Sequence, residues 1–197
     1  MTSMAAARPR RVVDRGAITA AWVGVGMAVT IGVSFLLVIP IEWVIWMLAL
    51  PSGLLIGYYA NQRSNRRNGP WGRILVNGLF AGIVTGLTAA ALVLVIKALF
   101  FYADNGYRDP GLGGPIACQA GADCVYQRYL QAGRGPDFVA AGVTDPDSFT
   151  AFYWREQFGS AGTVLVLTAL GGLGGAGLYG VFRPKPETMA DVGPAAA

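Results

Sequence analysis

The only two cysteines in the chain, Cys118 and Cys124, stand in the run CQAGADC. Two thiols on such small, turn-forming residues can close a local disulfide, exchange electrons with a redox partner, or hold a metal. A flexible connection in an oxidising compartment favours the structural bridge. Membrane thiol-disulfide oxidoreductases that work with quinones use a CxxC pair and usually a second pair to relay electrons. This chain has neither, so redox exchange ranks last among its functional readings. Metal binding needs more ligands, and histidine is absent from the whole sequence. That removes the commonest ligand of zinc and haem iron and the commonest general base near neutral pH. No catalytic residue, metal or cofactor is expected.

Other polar groups offer little more. Residues 104–109, DNGYRD, carry oxygen ligands but lack the spacing and terminal glutamate of an EF-hand loop. Residues 171–177, GGLGGAG, match a dinucleotide loop in letters only, for they lie inside an apolar run without a preceding strand or a following acidic ribose ligand. The polar candidates for an ion site within the apolar runs are Thr30, Ser34, Asn77, Thr85, Thr88, Thr163 and Thr168, all uncharged. No carboxylate is placed to carry a proton or cation at mid-membrane depth. Lys97 falls where its stem can snorkel beside Phe100, Phe101 and Tyr102. Pro51, next to Ser52, predicts a kink that frees the carbonyl near Met47.

The elements holding these residues are long and apolar. The chain is 54% hydrophobic and 13% charged, with mean hydropathy +0.48, whereas soluble domains carry about 25% charged residues. Residues 17–60 hold a single charge, Glu42. At about 1.5 Å per residue this run is twice the ~30 Å hydrocarbon core and must cross it twice, turning at Pro40 and Glu42. Spans are expected at 17–39, 43–60, 74–102 and 160–182. A basic tail, 1–16, precedes them, a loop at 103–159 separates the last two, and a Gly/Pro/Ala-rich disordered tail, 183–197, ends the chain. A cleaved signal peptide is disfavoured, because the first apolar segment exceeds the usual ~7–15 residues and a second span follows at once.

Charge sets the expected orientation. Arg8, Arg10, Arg11, Arg15, Arg63, Arg66, Arg67, Arg73, Arg183 and Lys185 all flank one side, whereas the 103–159 loop has four basic against seven acidic residues. The positive-inside bias predicts cytoplasmic N- and C-termini, with the bacterial cytoplasmic membrane as the expected location. The net charge of +4 is spent on these flanks. It makes no basic stripe interleaved with exposed aromatics, so nucleic acid is not an expected partner.

Small residues recur at four-residue spacing: Ala20, Gly24, Ala28 and Gly32; Gly53 and Gly57; Gly78, Gly82, Gly86 and Ala90; Gly172, Ala176 and Gly180, with Gly171 and Gly175 on an adjoining ridge. Such ridges let helix backbones approach closely in lipid. They offer more contact surface than one bundle obviously needs, so a partner subunit or self-association is expected. In the loop, VYQRYLQAG from Val125 suggests a short surface helix. Residues 145–158, DPDSFTAFYWREQF, read as an Asp- or Ser-capped helix leading into the fourth span. Phe149 and Phe152, together with Phe101, Tyr102, Tyr153, Trp154 and Phe158, are expected to anchor at the lipid interface or dock a partner.

The expected fold is therefore an all-α integral membrane four-transmembrane-helix bundle, N-in/C-in, with a partly helical extracytoplasmic loop between helices 3 and 4. A short first outer turn and a larger second loop resemble tetraspanins in outline. The CCG motif and further loop cysteines of that family are missing, as is the claudin signature, and no membership follows. The leading functional expectation is a non-catalytic structural or accessory subunit of a membrane complex. The alternative is a small channel or transporter, suggested by Pro51 and the glycine-rich helices.

Overall fold

Four apolar runs become four long helices in the computed structural model, which describes residues 12–38, 42–65, 69–103 and 118–182. Helix α1 covers Arg15–Gly32 and passes into a π-helical segment, Val33–Val38. Helix α2 is Glu42–Arg63, α3 is Trp71–Ala103, α4 is Ala122–Gln131, α5 is Gly135–Ala141 and α6 is Pro146–Phe182. No strand occurs among the described residues. Helices α1 (with its π-helical extension), α2, α3 and α6 are long and apolar enough to cross a membrane. Residues 1–11 and 183–197, the turn at Pro40 and the DNGYRD segment lie outside the described residues.

Several boundaries differ from the sequence reading, each for a local reason. Helix α2 runs three residues past 60 because Asn61 is fully buried and its amide donates to the carbonyls of Gly57 and Ile74, at 3.1 and 3.0 Å. Helix α6 starts at Pro146, so the capped helix read at 145–158 and the span read from 160 are one element. Asp145 accepts the Ser148 backbone N–H at 2.9 Å while Ser148 Oγ accepts the Asp145 N–H at 3.2 Å, a reciprocal cap that starts the helix early. From there it continues through Gly159 and Gly162 without a break. Pro51 leaves α2 helical on both sides, with the proline exposed and Ser52 turned inward.

Helix α6 packs along both α2 and α3, and α1 covers the same pair from the other side. Exposed apolar residues on all four helices make a continuous apolar surface, among them Trp22, Leu55, Leu87, Val95, Val166 and Val181. Aromatic residues mark its two ends. At one, Trp43 and Phe158 are exposed and Trp46 Nε1 donates to Ser160 Oγ at 3.0 Å. At the other stand Trp71 and Phe182 beside Arg63 and Arg73. Along α2 these levels are about 30 Å apart at 1.5 Å per residue, the thickness of a hydrocarbon core. Helices α3 and α6, with 33 and 37 residues, run to about 50 and 55 Å and project beyond the Trp46 level.

Candidate functional site

The projecting ends of α3 and α6 carry a small cap completed by α4 and α5. Its core is aromatic: Phe101, Tyr129, Phe138, Phe149, Phe152 and Tyr153 are buried together with Val125 and Val143. Tyr126 stacks on Phe138 at 5.4 Å, Phe138 meets Phe149 edge-on at 5.4 Å, and Phe101 lies 4.8 Å from Tyr153. Offset and edge-to-face pairs of this kind add about 0.5–1.5 kcal/mol each beyond area burial. The cap is thus a hydrophobic core of its own.

This placement corrects the expected role of two residues. Phe101 and Tyr153, read as lipid-interface anchors, are 1% and 3% exposed and fill the cap interior, as do Phe149 and Phe152. The cause is that α3 and α6 both run past the Trp46 level, which sets these rings against α4 and α5. Tyr102 and Phe158 do remain exposed, and Trp154 packs half-buried on the cluster. Trp43 and Trp46 supply further surface aromatics at that level, a role legible from their place at the start of an apolar run but not assigned to them.

Polar contacts lock the cap. The Arg134 guanidinium donates twice to the Glu156 carboxylate, at 3.1 and 2.8 Å, and its Nε donates to Asp137 at 3.0 Å. It also stacks 5.1 Å over the Tyr129 ring. One residue in the α4–α5 connection thereby ties α4, α5 and α6. The Glu156 hydrogen bonds raise the Arg134 pKa further above its already high value, so the guanidinium stays charged at any physiological pH. Burial, reinforced by the Glu156 charge, pushes the Tyr129 hydroxyl up to about 12; burial raises that of Tyr153 as well. Tyr153 donates its hydroxyl to the Lys97 carbonyl at 3.2 Å, bonding α6 to α3. The Ser148 N–H and the Thr144 hydroxyl hold the Asp145 carboxyl below its usual range. Cys118 and Cys124 are joined by a disulfide with Cα atoms 5.5 Å apart, fixing the segment that enters α4 to that helix's first turn.

Below the cap, the small-residue ridges meet one another within the chain. A Cβ on Gly57 would strike the Gly172 carbonyl, and one on Gly53 the Thr168 carbonyl. On the other side of α6, a Cβ on Gly78 would stand 2.6 Å from the Ala176 methyl, and one on Gly82 2.9 Å from the Thr168 carbonyl oxygen. Gly171 and Gly175 face the α2 backbone at Leu50 and Leu54, Gly86 meets Leu165, and Gly180 meets the Trp71 ring. Gly24 faces Thr85 and Gly32 faces Leu92, while Ala20, Ala28 and Ala90 are buried. The surplus contact surface expected for a partner is absent from these ridges, because one helix, α6, uses both of its small faces at once. Gly16, which abuts the backbone at Arg63 and Ser64, belongs to the same set and was hidden by its place in a basic flank.

At the basic end a polar cluster joins three helices. Asn77 Nδ2 donates to the Asp14 carboxylate at 2.7 Å, Asn77 Oδ1 accepts the Asp14 backbone N–H at 3.1 Å, and Arg73 lies 3.8 Å from Asp14. Asn61 and Asn77 are fully buried, their side chains 3.5 Å apart. Asn77 was legible as a polar residue in an apolar run; Asn61 and Asp14 were not, since they sit in stretches that read as loop. The bundle centre holds a cavity of about 20 Å³ beside Ser52, Thr85 and Thr168, room for a single water. No group of three or more metal-ligating side chains occurs among the described residues.

Comparison with protein-family models, curated proteins and solved structures finds no match.

Proposed function

We propose that this chain is a non-catalytic accessory subunit of a membrane protein complex, and that its recognition surface is the cap. One observation carries the reading: two helices extend beyond the apolar band into an aromatic-cored cap, braced by a disulfide and the Arg134–Glu156 pair. A pre-ordered surface loses less entropy on docking than a flexible loop. The small-residue ridges serve the bundle itself, so docking uses the cap exterior and the apolar helix faces. We also place the termini and basic flanks in the cytoplasm and the cap outside, on the positive-inside bias and the compartment a disulfide needs.

Mild-detergent purification with carboxylate-directed cross-linking tests this reading. Cross-links to other subunits should come from Asp123, Asp137 and Asp147, all on the cap. A strictly monomeric protein with no cap cross-links would overturn it. A channel or transporter reading draws support from the helix-lining hydroxyls, but a central space of about 20 Å³ is far below a conduction pathway. Selective flux through liposomes containing the purified chain would reverse that order.

A further inference from the structure

Hydroxyl side chains from three helices line the central cavity: Ser52 on α2, Thr85 on α3 and Thr168 on α6. Close backbone packing brings these helices together at this level, since Gly53 and Gly82 both face the Thr168 carbonyl. All three residues are buried, at 7%, 2% and 1% exposure. Ser52 lies six residues past Trp46, about 9 Å into the apolar band at 1.5 Å per residue. Lipid offers a hydroxyl no partner at that depth.

The three hydroxyls differ in how they are bonded. Thr85 and Thr168 donate to the carbonyls four residues earlier, those of Ala81 and Val164, at 2.8 and 2.7 Å. Each proton is thereby committed, and each oxygen keeps lone pairs with which to accept. The Thr85 oxygen lies against the bare backbone of Gly24 and still has a second lone pair for the cavity. Ser52 breaks the pattern, for its hydroxyl has no hydrogen-bond partner among the described residues. A buried hydroxyl with an uncommitted proton calls for an acceptor. The cavity thus presents one donor and two acceptors on otherwise apolar walls that include Met27, Ile31, Ile45, Ala49 and Val93.

We propose that this cavity is the binding site of one structural water, which accepts a hydrogen bond from Ser52 and donates its two protons to Thr85 and Thr168. A buried water typically makes about three hydrogen bonds, the number available here. The volume of about 20 Å³ exceeds the ~10–15 Å³ that one water needs. A sodium or potassium ion would exchange its hydration shell for three neutral oxygens, with no carboxylate on the walls, which is unfavourable inside a membrane. Organic ligands take roughly 300 Å³ or more. The water is a polar joint between α2, α3 and α6 within a seam otherwise made by glycine contacts. It rests on the helix packing and is independent of the accessory role proposed above.

Proton-detected solid-state NMR of the full chain in phospholipid bilayers, with magnetisation transferred from water to protein, tests the site. The wild type should show water cross-peaks at the amides of Ser52, Thr85 and Thr168, and none at lipid-facing Leu170. Thr168→Val keeps the side-chain shape but replaces an acceptor with a methyl, and should remove the cross-peaks at Ser52 and Thr85 as well. Ser52→Ala and Thr168→Val should each lower the folding equilibrium constant roughly fivefold, the share of one hydrogen bond. Together they should lower it by about the same factor, since the first change already releases the water. Additive losses, about 25-fold in the pair, would mean that the hydroxyls act separately and would overturn the proposal. So would a wild type without the three cross-peaks, or a cross-peak at Ser52 that survives Thr168→Val. Resonances at Ser52 that follow sodium concentration would make this a cation site instead, and cross-peaks running from Ser52 to either membrane face would make it part of an open water path.

Discussion

Adding one methyl group at Gly172 should destabilise this protein, while adding one five residues later, at Gly177, should not. A Cβ on Gly172 would sit 3.0 Å from the Gly82 Cα and 3.3 Å from the Gly78 carbonyl carbon. Carbon atoms prefer 3.5–4.0 Å, so α3 must retreat by about 0.5–1 Å, enough to forfeit a quarter to a half of each dispersion contact along the seam. Backbone cannot escape by changing rotamer, and overpacking typically costs about 1–3 kcal/mol. Alanine's better helix propensity returns about 0.5–1 kcal/mol, leaving a net loss centred on about 1 kcal/mol and reaching about 2.5 kcal/mol. A methyl at Gly177 would meet nothing within 4 Å, so only the propensity gain applies there. The propensity gain is common to both, so the two variants should differ by the overpacking cost of about 1–3 kcal/mol in detergent-driven unfolding, followed by tryptophan emission and far-ultraviolet circular dichroism. Equal stabilities would refute the reasoning. So would a Gly172→Ala protein that unfolds like the wild type but loses a partner, for then the seam would lie between subunits.

Three further outcomes follow from the same geometry. Arg134→Met leaves Glu156 and Asp137 without their shared cation and should weaken the cap by about 1–2 kcal/mol, seen as faster hydrogen exchange in residues 122–158 with the seam unaffected; uniform protection across the cap would contradict it. Tyr129 has a raised folded pKa, so its contribution is intact below the ordinary tyrosine value near 10 and is lost as pH climbs through about 12. Near-ultraviolet dichroism of the cap should hold to pH 10 and fall above it, and a loss beginning near pH 8 would show that another group controls the cap. Asn77→Leu takes two hydrogen bonds from Asp14 and should cost about 1–2 kcal/mol, with Asn77→Asp worse because it sets two carboxylates together; thermal melts of both in one detergent decide the order.

Much of the architecture was legible because lipid imposes a coarse rule. Apolar runs of the right length had to be helices, with their backbone groups bonded internally, and 17–60 was too long to be one span. The four-residue glycine rhythm likewise marked backbone contact before any coordinate. Periodicity could not say which helices meet, since a ridge looks the same whether it faces a neighbour in the chain or another protein. Only the packing of α6 between α2 and α3 put Gly57, Gly78, Gly82 and Gly172 on one seam.

The cysteine-bearing segment divides the same way. Composition alone made redox or metal chemistry a weak expectation for two thiols without histidine or a second pair, and local spacing alone made a bridge between Cys118 and Cys124 reasonable. Aromatic residues beside a span, however, carry no depth marker, because a ring suits a lipid interface and a protein core equally. The capped start of α6 was legible at Asp145 and Ser148, but only the packing of its first turns against α3, α4 and α5 brought Phe149, Phe152 and Tyr153 to Phe101, Tyr129 and Phe138. The Arg134–Glu156 pair, 22 residues apart in sequence, has no local signature at all. Sequence determined what each segment is made to do in lipid or water; long-range packing chose the partners, since contacts between distant residues are set by how whole helices fit together.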